Sequence, residues 1–199
     1  MAESARKGYH HGDLPNALVE AAIELARAGG PEAIVLREAA RRVGVSATSA
    51  YRHFANHQDL IIAVKAHAQQ ELTRAMASEP VASETEAGAQ ALARLHALGR
   101  GYVRFAQTES GWFRSAFTHE VPTVRSSESF RLLTDALDGL VAAGVLPASR
   151  RPGAETPVWA TIHGIATLLV DGPLASLPAS EQQETIARTQ QFITRALIG

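Results

Sequence analysis

The chain has 199 residues, 46% of them hydrophobic, enough to bury the core of one large or two small domains. Its formal net charge is −1, which excludes a generally basic nucleic-acid binder and leaves any such contact to local charge. Cysteine is absent, so disulfides, thiolate zinc sites and cysteine nucleophiles are excluded.

The first twelve residues have no apolar run of the kind found in secretory leaders, and nowhere do ~18 apolar residues follow one another as a membrane span requires. The expectation is a soluble cytoplasmic protein with no membrane partner. Asp13 marks the start of a first helix, in which Leu14, Leu18, Ala21, Ala22, Leu25 and Ala26 recur at helical spacing and Pro15 falls in the tolerant first turn. Gly29-Gly30-Pro31 ends it. Residues 37–54 then have the spacing of two short helices and a tight turn. Ala39, Ala40 and Val43 line one face, Gly44 lets the chain turn, Val45 plugs the gap, and Ser46 caps a polar helix predicted over residues 47–54. Four arginines (Arg37, Arg41, Arg42, Arg52) face one acid, Glu38, in this segment, whose second helix suits a major groove.

Asn56 is a cap for a long helix carrying Leu60, Ile61, Val64, Ala68 and Leu72 toward Ser78, and residues 79–90 read as an acidic loop. Leu92, Leu95, Leu98, Tyr102 and Phe105 form the next helical stripe, broken near Ser110-Gly111 before Trp112, Phe113 and Phe117. A helix from Ser127 carries Phe130, Leu133, Leu137, Leu140 and Val141. Residues 148–156 read as loop, and two further helices are expected over 157–171 and 181–198. There is no strand pattern, so the fold class is all-α with about nine helices. Gly164, costly in mid-helix by roughly 1 kcal/mol, implies the close approach of another helix.

No glycine-rich phosphate loop, nucleophile elbow or His-Glu-x-x-His motif occurs, so no enzyme is expected. His10-His11 and the pair His53 and His57 lack acidic partners at metal spacing, and the Asn56 cap separates the second pair, so no metal and no cofactor are expected. Trp159 and His163 lie one helical turn apart. With Tyr102, Phe105, Trp112, Phe113 and Phe117 they either fill the core or line a cavity for an apolar effector, with His163 or His119 available to orient it.

Arg37, Ala40, Gly44-Val45-Ser46, Tyr51, His53-Phe54, Asn56 and Leu60 fall on the pattern of the tetracycline-repressor (TetR/AcrR) family, which this chain resembles over residues 9–60. Tyr9 to Leu14 looks like the lead-in of one subgroup, and Trp159, His163 and Gly164 look like the Trp-His-Gly motif for which that subgroup's C-terminal domain is named. The resemblance implies a three-helix helix-turn-helix DNA-binding domain with its arm at residues 1–56 and a ligand-binding and dimerisation domain at 57–199. It implies a ligand-responsive repressor that binds a palindromic operator on double-stranded DNA as a homodimer, joined through its last two helices. Thr48, Ser49 and Arg52 would then read base edges, Ser46 would cap the reader helix at the interface, and Tyr51, His53, Arg37, Arg6 and Lys7 would lie near phosphates. Tyr51 can also pack its ring, and Phe54 is expected in the core.

The chain departs from the family at four places. Val35 replaces a Thr that caps the second helix and meets a phosphate, and His57 replaces a Lys at the start of the fourth. Ala39 and Ala50 replace larger aliphatics, which would draw their helices together. The phosphate anchors lost at Val35 and His57 motivate a second reading, a non-catalytic small-molecule-binding or scaffolding protein with a degenerate helix-turn-helix.

Overall fold

The computed structural model describes residues 13–54, 57–117 and 127–199, and of His57 the backbone alone. Among these residues it is all-helical: α1 (Leu14–Gly29), α2 (Leu36–Val43), α3 (Ala47–Tyr51), α4 (His57–Ala77), α5 (Ala87–Thr108), α6 (Ser110–Ala116), α7 (Glu128–Ala142), α8 (Glu155–Val170) and α9 (Ala179–Ile198), with short 3-10 turns at Pro31–Ala33 and Ala148–Arg150. No described helix is long and apolar enough to cross a membrane.

Local chemistry explains most of the boundaries. Pro15 sits in the first turn of α1, where a missing N–H costs nothing. Asp13 occupies the N-cap, but its side chain makes no bond to the helix amides; Oδ1 accepts from Asn16 Nδ2 at 2.6 Å instead. Gly44, at φ 81° and ψ 26°, closes α2 in the left-handed conformation, and the Val45 amide donates back to the Ala40 carbonyl at 3.0 Å. Ser46 caps α3 as expected, its Oγ accepting from the Ser49 amide at 3.1 Å. The helix is shorter than the predicted 47–54 because the His53 and Phe54 amides both turn in on the Ala50 carbonyl, ending the regular ladder at Tyr51.

The acidic loop is also shorter than expected. Gln90 reaches back from the first turn of α5, accepting from the Glu84 amide at 2.9 Å and donating to the Ala82 carbonyl at 3.2 Å, so the helix has already begun at Ala87. Ser127 caps α7 through the Phe130 amide at 3.2 Å. Helix α8 starts at Glu155, where Arg151 bonds both Glu155 and Asp138 at 2.7 Å and ties the preceding loop to α7.

One apolar core runs without interruption from Leu14 and Leu18 in α1, through Phe54, Leu60 and Leu72, to Phe105, Ile165 and Leu169. Ala39 and Ala50 are both fully buried within it. A second core gathers Leu95, Leu137, Leu140, Val158, Ile193 and Leu197 among α5, α7, α8 and α9, and Trp159 packs against both. The short helix α6 packs directly against α1. A Cβ on Gly111 would overlap the carbonyl oxygens of Ala26 and Arg27, so only glycine lets α6 lie this close to α1. Trp112 Nε1 donates to the Ile23 carbonyl at 2.9 Å, and Arg27 grips Glu109 through two bonds of 2.6 and 2.7 Å while its guanidinium lies 4.9 Å from the Trp112 ring centre.

Candidate nucleic-acid interface and cavity

Helix α3 is held by its buried side and presents the other to solvent. Ala50 and Phe54 are in the core, whereas Thr48, Tyr51, Arg52 and His53 are exposed, Tyr51 by 55%. The phenol ring of Tyr51 is therefore not a core group in this chain. Ser49 is half-buried with its amide committed to Ser46, which leaves Thr48 and Arg52 as the more available of the residues expected to read base edges. Arg6 and Lys7 lie outside the described residues, as do His119 and the Asn56 cap.

On α2, Arg37 is exposed and unpaired among the described residues. Its neighbours are not: Glu38 accepts from Arg41 through two bonds of 2.7 and 2.8 Å and lies 3.6 Å from Arg42. The hydrogen bond from Arg41 holds the Glu38 carboxyl below its usual range and raises the arginine in turn. The cluster that counted as four cations in the sequence thus offers two unencumbered ones, Arg37 and Arg52, beside an internal ion pair. Val35 stands at the N-cap of α2 with extended backbone and makes no side-chain cap bond, its side chain 45% exposed.

The seven aromatic and histidine residues expected near a ligand divide into two groups. Tyr102, Phe113, Phe117, Trp159 and His163 come together in one cluster, with the His163 ring stacked on Trp159 at 5.3 Å and edge-on to Phe117 at 4.8 Å. The Tyr102 hydroxyl meets His163 Nδ1 at 2.7 Å. Burial raises the Tyr102 pKa well above its ordinary value and lowers that of His163, so both groups are neutral at pH 7 and the imidazole's tautomer sets which of them donates. Phe105 is core, and Trp112 belongs to the α1–α6 junction, edge-on to His67 at 4.9 Å.

Beside this cluster lies a cavity of about 40 Å³ bounded by α4, α5, α7, α8 and α9. Of the predicted ligand residues only Tyr102 and Trp159 line it; its other walls include Leu95, Leu133, Ile162 and Ile193, with Gln190, His96 and Ser129 as the polar members. Gln190 was missed from the sequence, yet a signal exists: it interrupts the apolar stripe Ile186, Ile193 and Leu197 of α9 on the buried side. Ser129 joins the cavity to α6, since its Oγ donates to Gln69 Oε1 at 3.3 Å and Gln69 Nε2 donates to the Ala116 carbonyl, at the end of that helix, at 2.9 Å.

Gly164 is open on the outer face of α8. A Cβ there would meet nothing within 4 Å, so the close helix approach expected at this position is not made among the described residues. Leu168 on the same face is 41% exposed, and Phe192 on α9 is 62% exposed.

Residues 18–64 match the family described as "Bacterial regulatory proteins, tetR family", and residues 95–191 match "Tetracyclin repressor-like, C-terminal domain". Among solved structures, a protein with unknown function from Rhodococcus sp. RHA1 is 27% identical, with a TM-score of 0.71 over 97% of this chain and 100% of that one. A tetR-family transcriptional regulator from Streptomyces coelicolor has the same fold at 17% identity, with a TM-score of 0.58 over 95% of this chain and 90% of that one. No curated protein sequence matches the chain.

Proposed function

The chain belongs to the tetR family of bacterial regulatory proteins and is a DNA-binding transcriptional regulator, and on that premise we propose that it is a ligand-responsive repressor that binds a palindromic operator as a homodimer. The reading rests on one observation above the others: α6 seats Gly111 and Trp112 directly on α1 of the reader head, while its other end is tied through Gln69 to Ser129 at the cavity. A molecule that spreads α7 from α4 bears on the element that sets where the head sits. Such a molecule favours a conformation in which the two heads no longer match the half-site spacing.

The head, residues 1–56, reads DNA through Thr48, Ser49 and Arg52, with Tyr51, His53, Arg37 and the arm residues Arg6 and Lys7 near phosphates. Residues 57–199 bind the apolar effector and dimerise. Support for the dimer comes from the outer face of α8 and α9, where small residues around Gly164 and exposed Leu168 and Phe192 leave room and apolar surface for a second copy. Two-fold symmetry then places a reader helix in each of two half-sites about 34 to 36 Å apart.

Selection of bound sequences from a random DNA library tests this. Enrichment of an inverted repeat with that spacing is expected. An enriched single half-site would overturn the dimer, and no enrichment at all would favour the degenerate-head reading.

A further inference from the structure

Gln190 is the least-used polar side chain at the cavity. It is 9% exposed, on the inner side of α9 where its neighbours are apolar. Its Nε2 donates to the His96 carbonyl at 2.7 Å, and among the described residues it makes no other bond, although a glutamine amide can make about four. Its carbonyl oxygen and second amide hydrogen are therefore a donor and acceptor pair at the wall of an otherwise apolar space.

The remaining walls restrict what that pair can meet. No Lys, Arg, Asp or Glu lines the cavity. The two titratable groups there are neutral at pH 7: His96 is paired with Thr194 Oγ1 at 2.8 Å and held low by burial and by Arg100, and the Tyr102 phenol is held protonated by burial. An ion placed here would lose its hydration and gain no counter-charge. Tyr102, Phe130 and Trp159 supply flat faces, and Leu133, Ile162 and Ile193 the aliphatic ones. A volume of about 40 Å³ holds little more than water, so an occupant must displace part of the lining. Met76, an unbranched and adaptable side chain, and half-buried Phe130 are the members able to give way.

We propose that this cavity takes an uncharged, mainly apolar ring compound carrying one hydroxyl or amide-like group, and that Gln190 recognises that group. This deepens the effector reading above and rests on it for the site's purpose, but not for the site's chemistry.

The test is a titration of the full-length protein with four matched probes, toluene, benzyl alcohol, benzoate and benzylammonium, at pH 7, followed by melting temperature and tryptophan fluorescence. Benzyl alcohol should bind about tenfold more tightly than toluene, and both ions about tenfold or more weakly than toluene. Gln190→Leu, or Gln190→Met if the first variant folds poorly, should bind toluene normally and lose the preference for the alcohol. Gly99→Ala should weaken every probe, since its methyl would sit 3.3 Å from Gln190 Nε2 and 3.5 Å from Ile162 Cδ1 while favouring the helix.

Three results would overturn the proposal: either ion binding as well as benzyl alcohol, an unchanged preference in both Gln190 variants, or no probe binding up to its solubility limit. Gel shifts with and without benzyl alcohol separate the two readings. Binding in the cavity that leaves DNA affinity unchanged supports the ligand class and counts against the effector role.

Discussion

Arg52→Ala separates base reading from the rest of what the head does. Arg52 is exposed at the C-cap of α3, and its side chain has no hydrogen bond or ion pair among the described residues, so nothing in the fold depends on its guanidinium. Its backbone amide, which donates to Ser49, is kept by the substitution. Folding stability should change by no more than about 0.5 kcal/mol, the ordinary range for an exposed site. Binding is another matter, because a guanidinium forked onto a guanine discriminates by about 1 to 3 kcal/mol, or roughly 5- to 150-fold in Kd. A two-fold complex loses the contact twice, doubling the figure in kcal/mol if the half-sites are independent. On scrambled DNA the loss should be confined to one cation per protomer and shrink as salt is raised. Arg41→Ala is the contrast: Arg41 is already bound to Glu38, so its removal should weaken both duplexes slightly and alike. Fluorescence anisotropy on the selected operator and a scrambled duplex, at one salt concentration, measures all four values. An equal loss on both duplexes for Arg52→Ala would refute the base-reading role, and a lowered melting temperature would refute its independence from the fold.

Three further outcomes are expected. Val35→Thr adds a hydroxyl at the uncapped start of α2 and should stabilise the chain by about 0.5 to 1 kcal/mol, read as a rise of roughly 2 °C in Tm, with tighter operator binding; no change in either would show that the bare cap limits neither. Gly164→Leu places a side chain into open space in the single chain, so the fold should persist while sedimentation shows monomers; a retained dimer would rule out this face as the interface. Stability should also fall with acid. Burial holds both His96 and His163 below their ordinary value of 6.5, so through that value and below it the unfolded chain binds more protons than the folded one, and stability present above it is lost as pH drops. Thermal melts from about pH 7 to about pH 5 measure this, and His163→Gln should flatten part of the slope; an unchanged slope would place the pH dependence elsewhere.

Much of this architecture was legible because it is written in short-range chemistry. Ser46 and Ser127 cap the helices assigned to them, Gly44 turns between α2 and α3, and the stripes of α5, α7 and α9 face inward. A stripe, however, marks only which side of a helix is buried and not which neighbour it meets. Trp112 and Tyr102 look alike in the sequence, yet one clamps α1 and the other borders the cavity. Gln190 sat inside an apolar stripe, where periodicity passes over a single polar residue. Side-chain competition was equally hidden: Asn16 takes the Asp13 carboxylate, and Glu38 takes Arg41, so neither the cap nor the basic cluster acts as its composition suggests. At Gly164 the spacing pointed to a close neighbour that the described residues do not supply.

The central claim, that an intact reader head on a paired scaffold recognises sequence, is tested most directly by the ratio of affinities for the selected operator and scrambled DNA at physiological salt. The account predicts a ratio of about 10³ or more, with two protomers per duplex. A ratio near one, with the protein folded, would contradict it.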